Sequence, residues 1–242
     1  MSELLVARDE ARDGAVLTLT LNRPDKANAL GADLVEALHA ALDGAGRDGV
    51  RLLVLRGEGR NFCAGFDFGA FEDLGVADLS WRFVRIEQLL QRLYHAPYAT
   101  LALAQGGCYG AGADLLAVCD ERVCAPEARL RMPGWKFGLA LGTRRLAARI
   151  GAQAARRLLG AAQIVESAAA LRMGLVTEVA ASAAWADCVT RASIAAASLE
   201  VGAQARLHGL TQSDTRAADM AALIESLTEG DLKARIRAFR AA

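Results

Sequence analysis

The sequence predicts an α/β fold, in which a core of alternating strands and helices is followed by a helical C-terminal region. Short apolar runs of strand type alternate with helical patterns over the first three quarters of the 242 residues. Beyond Gly142 the pattern is almost entirely Ala/Leu/Arg-rich helix, interrupted only by LVTEVA, Leu175 to Ala180. This order argues for an α/β core with a helical appendage. Hydrophobic residues at 53% and charged residues at 23% are typical of a globular protein.

The first elements follow from the spacing of apolar residues. Ala15 to Pro24, AVLTLTLNRP, alternates in polarity and predicts a strand that ends in a proline-marked turn. Gly31 to Leu42 has its apolar residues at helical spacing. Arg51 to Gly57, RLLVLRG, is a short apolar run of the kind that forms a buried strand. A loop with several glycines follows, and a helix is predicted from about Ser80 to His95.

The rest of the predicted core contains three further strands and one short helix. Thr100 to Gly106, TLALAQG, predicts a strand that leads directly into a glycine-rich segment. A short helix is predicted from about Ala111. ERVCA, from Glu121, and ARLRM, from Ala128, predict two more strands before the helical C-terminal part begins.

Charge and cysteine content exclude several classes of protein. Lys plus Arg equals Asp plus Glu at 28 each, so no overall basic field favours nucleic acid or an anionic membrane as partner. No stretch approaches the roughly 18 apolar residues of a spanning helix. The N-terminal MSELLVARDEARDG carries acids throughout, so we expect no signal peptide and a cytoplasmic protein. The odd number of cysteines, five, favours buried free thiols, and Cys119 and Cys124 have no histidine nearby, so we expect no metal site.

The segment Gly106 to Leu116, GGCYGAGADLL, has four glycines within seven residues. Its spacing fits neither the dinucleotide fingerprint nor the P-loop. It joins a strand to a helix N-terminus, where free N–H groups favour a negative charge. The group bound by these N–H groups could be an anion, or a carbonyl oxygen that becomes negative during a reaction. An oxyanion hole needs a second donor loop, whereas a tight turn that lets helix and strand pack closely needs no ligand at all.

The partner loop is GRNFCAGFDF, Gly59 to Phe68, which also follows a strand directly. With this loop included, the order of motifs resembles the crotonase superfamily, which contains the enoyl-CoA hydratases and isomerases. The further motifs that carry the resemblance are NRPDKANAL (22–30), GGCYGAGADLLAVCD (106–120), ERVCAPEARLRMP (121–133) and TEGDLKARIRAF (228–239). The resemblance covers nearly the whole chain.

The resemblance implies a crotonase-type spiral of ββα repeats at residues 1–190 and a helical oligomerisation region at residues 191–242. It implies a homotrimer or a dimer of trimers. It also implies an acyl-CoA thioester as substrate, with no other cofactor. The thioester carbonyl would be held by the backbone N–H groups of Phe66 and Ala111, which would stabilise an enolate.

The same resemblance implies a set of substrate-binding residues around these donors. Those in the two loops and beside them are Ala64, Gly65, Asp67, Phe68, Gly110 and Gly134. The stretch from Ala64 to Phe68, together with Arg23 and Lys26, resembles the part of the family that contacts the adenosine end of coenzyme A, although Arg23 and Lys26 could each equally be a solvated surface residue.

The family pattern breaks at the catalytic acids. In the hydratases two glutamates flank the double bond, one activating water and one supplying a proton. The first corresponds to Asp114, which is one methylene shorter and could instead be a helix-surface acid or a local cap. The second would follow Pro133, where this chain has Gly134. Hydration by two carboxylates is therefore in doubt.

Several substitutes for the missing acid stay open. Glu87 could reach the site, or could be a solvated acid beside Arg85 or Arg92. Trp135 and Lys136 lie next to the missing acid, and the space at Gly134 could admit water, an anion or a carboxylate of the substrate. The default expectation is a hydratase. The alternatives are an isomerase, decarboxylase or hydrolase with one carboxylate, or an acyl-CoA-binding homologue with little activity.

Overall fold

The computed structural model describes residues 2–9 and 15–241, so part of the acidic N-terminal segment lies outside the described residues. Nine strands are seen in this part of the chain: β1 Leu4–Arg8, β2 Val16–Leu21, β3 Leu52–Gly57, β4 Ala99–Ala104, β5 Gly107–Tyr109, β6 Glu121–Cys124, β7 Arg129–Arg131, β8 Val165–Glu166 and β9 Glu178–Val179.

Ten α-helices accompany the strands in the same described ranges. They are α1 Ala32–Arg47, α2 Val76–Tyr94, α3 Ala111–Val118, α4 Thr143–Ile150, α5 Ala152–Ala161, α6 Ser167–Arg172, α7 Trp185–Ala197, α8 Val201–Thr211, α9 Arg216–Thr228 and α10 Leu232–Ala241. A short 3-10 helix, Gly134–Phe137, precedes α4.

The strands form two sheets that together produce the repeated ββα unit. The larger sheet has the order β1-β2-β3-β4-β6-β9 and is parallel from β2 to β9, with β1 antiparallel at its edge. The smaller sheet has the order β5-β7-β8. After β4 the chain passes through β5 to α3, and after β6 it passes through β7 to the helices that follow. Parallel pairing places the carboxyl ends of β3 and β4 side by side, and both glycine-containing loops start there.

The predicted α/β class and its main elements are confirmed, with differences at the ends. Strand β1 was not predicted, because only its first residue is buried and the strand has no alternating pattern. Helix α1 continues to Arg47 and α2 begins at Val76. Strand β5 lies inside the glycine-rich segment, where its three residues carry no strand signal.

The core is rich in leucine and contains the cysteines. All five cysteines are free and buried, as predicted. Residues from the last two helices, Leu223 and Leu227 of α9 and Leu232 and Ile236 of α10, belong to the main hydrophobic cluster. Within the described residues, no helix is both long and apolar enough to cross a bilayer.

The C-terminal helices therefore pack in part on the chain's own core. Helix α9 lies against α2, and α10 returns to the 3-10 helix at Gly134–Phe137. The predicted boundary after residue 190 falls within the continuous helix α7, which packs on β3 and β4. The assignment of residues 191–242 to oligomerisation stays a prediction.

Candidate active site

The two glycine-containing loops are tied together by backbone hydrogen bonds. The N–H of Tyr109 donates to the carbonyl of Cys63 at 2.9 Å, and the N–H of Cys63 donates to the carbonyl of Gly107 at 3.2 Å. Gly65 lies at the contact, where an added Cβ would come within 2.5 Å of the Tyr109 carbonyl oxygen and 3.1 Å of the Ala111 nitrogen. The loops can approach this closely only because residue 65 has no side chain.

The two predicted N–H donors lie beside this contact and are free. Neither the Phe66 N–H nor the Ala111 N–H donates to an acceptor among the described residues. Ala111 is the first residue of α3, and Gly110 before it has φ +52° and ψ −126°, a conformation suited to glycine. Free N–H groups at a helix N-terminus are suited to stabilising an oxygen that gains negative charge.

A cavity of about 360 Å³ opens at these donors. It brings together most of the predicted site residues, namely Ala64, Phe66, Phe68, Gly110, Ala111, Asp114 and Gly134. The remaining described residues of its wall are Phe83, Tyr109, Arg131, Met132, Pro133, Trp135, Phe137, Leu139, Leu141, Leu159, Ile164 and Phe239.

Three predicted substrate-binding residues are not part of this cavity wall, namely Gly65, which lies at the contact between the two loops, Asp67 and Lys26. Asp67 and the exposed Lys26 line a neighbouring groove of about 430 Å³ together with Arg23. The Asp67 carboxylate accepts hydrogen bonds from Arg23 at 2.9 Å and from the Gly69 N–H at 2.9 Å. Burial alone would raise the pKa of Asp67, but these hydrogen bonds hold it below its ordinary value. Arg23 is thus held by an ion pair and is not a freely solvated side chain.

Asp114 is buried on the first turn of α3, so it is not a helix-surface acid. Burial raises the pKa of its carboxyl to about 7, while the nearby Arg145 cation opposes this rise and Glu87 adds to it. No described residue donates a hydrogen bond to the carboxylate. Gly142 lies so close that an added Cβ would overlap the Asp114 carboxylate. A carboxyl group with a pKa near neutrality can serve as either acid or base.

No second acid stands at Gly134. Among the described residues that line the cavity, Asp114 is the only carboxylate. Trp135 lines the cavity and donates its indole N–H to the hydroxyl of Thr143 at 3.0 Å, whereas Lys136 is exposed and lies outside the wall. Neither side chain replaces the missing carboxylate.

Glu87 is neither a solvated acid nor a residue of the cavity wall. Its side chain is 1% exposed and forms a two-pronged ion pair with Arg145, with N–O distances of 2.6 and 2.8 Å. Arg145 also pairs with Asp219 of α9 at 3.1 Å. Both expectations for Glu87 were wrong because its partner, Arg145, is distant in the sequence. No pattern in TRRL marks Arg145, and not Arg144, as the buried arginine.

A second groove lies outside the site, and no metal-binding cluster is found among the described residues. A larger open groove of about 1000 Å³ lies near Arg56, Asn61 and Trp185, but Asp114 is not part of its wall. Among the described residues, no group of three or more His, Cys, Asp or Glu side chains is arranged to hold a metal ion.

Comparison with known proteins gives consistent matches over most of the chain. Residues 11–233 match the model of the enoyl-CoA hydratase/isomerase family. A Mycobacterium tuberculosis protein described as an enoyl-CoA hydratase, echA6, is 36% identical over 183 residues, which are 73% of this chain and 73% of that protein. The crystal structure of a Bordetella parapertussis protein described as an enoyl-CoA hydratase/isomerase superimposes with a TM-score of 0.97 at 47% identity, covering 100% of each chain.

A human ethylmalonyl-CoA decarboxylase is also similar. It is 30% identical over 175 residues, which are 70% of this chain and 57% of that protein. Relatives of this chain are therefore named for more than one reaction of acyl-CoA thioesters.

Proposed function

Since the chain belongs to the enoyl-CoA hydratase/isomerase family, which confirms the resemblance seen in its motifs, we propose that it shifts a proton on an enoyl-CoA thioester. The oxyanion donors would be the N–H groups of Phe66 and Ala111, and the acid–base group would be Asp114. The observation that carries this proposal is that Asp114 is the only carboxylate among the described residues of the cavity wall.

The proposed reaction moves one proton between two carbons of the acyl chain. The ionised Asp114 takes a proton from the α carbon of a 3-enoyl thioester, and the electron pair of the broken C–H bond moves to the thioester oxygen, in conjugation with the double bond between the β and γ carbons. The two N–H groups stabilise the resulting dienolate. Asp114 then returns the proton to the other end of the dienolate, so that the double bond is displaced and no water is added.

Hydration of the double bond fits the residues that line this cavity less well than isomerisation does. It requires one group to activate water and another to protonate the α carbon. The position at which the hydratases have their second acid is Gly134 in this chain, which has no side chain. The residues beside it in the cavity, such as Pro133 and Leu139, have no group that can take a proton from water. A single carboxylate with a pKa of about 7 suits a reaction in which the same group accepts and returns one proton.

A second candidate is decarboxylation of a substituted malonyl-CoA. The similarity to a protein named ethylmalonyl-CoA decarboxylase favours it. Loss of carbon dioxide leaves an enolate for the same two N–H groups, and the protonated Asp114 would supply the proton to the α carbon.

The test is a parallel assay of the purified protein with 3-enoyl-CoA, 2-enoyl-CoA and a substituted malonyl-CoA. We expect conversion of the 3-enoyl to the 2-enoyl thioester, with little hydration of the latter. Hydration as the main reaction would contradict the proposal, as would acyl-CoA binding without turnover of any of the three. Decarboxylation alone would select the second candidate.

The matched variants are Asp114→Asn and Asp187→Asn. Asp187 is an exposed acid on the first turn of α7, outside the cavity wall. We expect Asp114→Asn to lower kcat by about 10²-fold or more, which is typical for loss of a general acid–base group, and Asp187→Asn to leave it unchanged.

A further inference from the structure

One wall of the cavity is a continuous row of aromatic rings. Phe83 stacks on Phe66 with centroids 4.2 Å apart, and Phe66 contacts Phe68 at 4.8 Å. Phe68 meets Phe137 edge-on at 6.1 Å, and Phe137 contacts Phe239 at 5.1 Å. The row therefore includes Phe66, whose N–H is the first proposed oxyanion donor, and leads from it to the C-terminal helix.

Two arginines contact residues of the row. The Arg82 guanidinium lies over the Phe66 ring, 4.5 Å from its centroid. Arg235 of α10 donates to the carbonyl oxygens of Phe137 and Gly138 at 3.0 and 3.2 Å. Helix α10 thus completes the wall through Phe239.

The rest of the cavity wall is mainly aliphatic and leads to a rim at its opening. Its side chains include Met132, Leu139, Leu141 and Leu159, and Tyr109 and Arg131 add polar groups. At the rim, Trp135 and Ile164 are 44% and 51% exposed although both line the cavity. Two large apolar side chains exposed at one opening mark a surface that a ligand would cover.

We propose that the acyl group accepted here is bulky and apolar, with about six or more carbons beyond the thioester, either as a chain or as an aryl ring. This inference rests on the proposed function, since it extends the same site. A four-carbon acyl group would occupy only the part next to Phe66 and Ala111. The aromatic row and the rim would then stay in contact with water.

Chain length should therefore govern affinity. Burying one methylene contributes about 0.8 kcal/mol, which is roughly fourfold in Kd. We expect the Kd of saturated acyl-CoA ligands to fall about fourfold per added methylene from butyryl-CoA to octanoyl-CoA. An aryl ligand such as 3-phenylpropanoyl-CoA should bind at least as tightly as hexanoyl-CoA, because flat rings pack well on aromatic side chains.

The experiment is calorimetric titration of the wild-type protein with these saturated ligands and with succinyl-CoA, which carries a charge at the end of its acyl group. Saturated ligands have no double bond to move, so binding is measured independently of the proposed isomerisation. A gain for octanoyl alone would indicate a chain site, and a gain for the phenyl compound alone would indicate an aryl site. A Kd that does not fall from butyryl to octanoyl and phenylpropanoyl, or succinyl-CoA binding as tightly as octanoyl-CoA, would overturn the inference.

A pair of variants tests whether the rim makes the contact. Ile164→Ser should weaken octanoyl-CoA binding several-fold while leaving butyryl-CoA binding unchanged. Leu171→Ser is the control, because Leu171 of α6 is 42% exposed and lies outside the cavity wall. Equal losses for both ligands, or no loss, would contradict the role of the rim. Failure of every acyl-CoA to bind would instead overturn the proposed function itself.

Discussion

At the scale of single residues, Asp114 determines how activity should depend on pH. Burial raises the pKa of its carboxyl to about 7, and in the proposed reaction the ionised form accepts the first proton. The competent fraction therefore increases as the pH rises through about 7 and is constant above it.

We predict that kcat/KM for isomerisation rises about tenfold per pH unit below pH 6 and levels off above pH 8. A pH series with 3-enoyl-CoA measures this directly. A midpoint near 4, the ordinary value for an aspartate, would show that the carboxylate is not held in the buried setting described above.

Gly142 keeps the space that the Asp114 carboxylate occupies. It has φ +65°, and a Cβ there would overlap the carboxylate. We predict that Gly142→Ala lowers kcat by about 10²-fold, because displacing a catalytic group by about 1 Å can have that effect. Gly49→Ala is the control, since Gly49 has φ +71° and open space around it. Both variants carry backbone strain, so an equal loss of activity in the two would argue against a specific displacement of Asp114.

Gly134 is the position at which a second carboxylate can be restored. Its φ is not in the left-handed region, and an added Cβ would lie 3.3 Å from the Leu139 carbonyl oxygen, a tight contact that a small shift would relieve. We predict that Gly134→Glu raises the hydration rate of 2-enoyl-CoA by about 10²-fold, the lower range for one general acid–base group. If the folded variant hydrates 2-enoyl-CoA no faster than the wild-type protein, the absence of an acid at Gly134 does not explain the low hydration rate that we expect.

At the scale of elements, three helices meet at one buried cation. Arg145 of α4 pairs with Glu87 of α2 and with Asp219 of α9. Removing the Glu87 charge would leave the buried Arg145 with one ion pair, to Asp219, in place of two, and breaking a buried pair is strongly destabilising. The same pair lies close enough to Asp114 to influence its pKa.

We predict that Glu87→Gln lowers the free energy of unfolding by about 3–5 kcal/mol. Glu36→Gln, which breaks the more exposed pair between Glu36 and Arg85, should cost less than about 1 kcal/mol. Chemical denaturation compares the two. Since Glu87 raises the pKa of Asp114, the pH midpoint of activity should also move down in Glu87→Gln, whereas an unchanged midpoint would show that the pair has a structural role alone.

Elements whose signals are local could be predicted from the sequence, and those that depend on distant partners could not. The strand before each donor loop follows from its apolar run, and the proposed donors Phe66 and Ala111 follow from motif positions. Strand β5 forms only because its three residues pair with β7 and meet Cys63. The burial of Glu87 depends on Arg145, which lies 58 residues away in sequence.

At the scale of the whole molecule, the C-terminal helices leave apolar side chains exposed. Ile194 of α7 and Val201, Leu207 and Leu210 of α8 are exposed, with Leu210 at 80%. We predict that the protein is a trimer or a dimer of trimers and that Leu210→Asp shifts it towards the 25.5 kDa monomer. Sedimentation velocity of Leu210→Asp and of Val76→Asp, a control on α2, measures this. A wild-type monomer, or equal effects of both variants, would contradict a C-terminal interface.

In the proposed chemistry the two loops and one carboxylate generate a thioester enolate. Proton NMR of a saturated acyl-CoA in D₂O with the protein present detects this enolate through exchange at the α carbon. We expect the α-proton signal to be lost through exchange with wild-type protein and retained with Asp114→Asn. Exchange at the same rate with Asp114→Asn, or no exchange by a wild-type protein that binds the ligand, would contradict it.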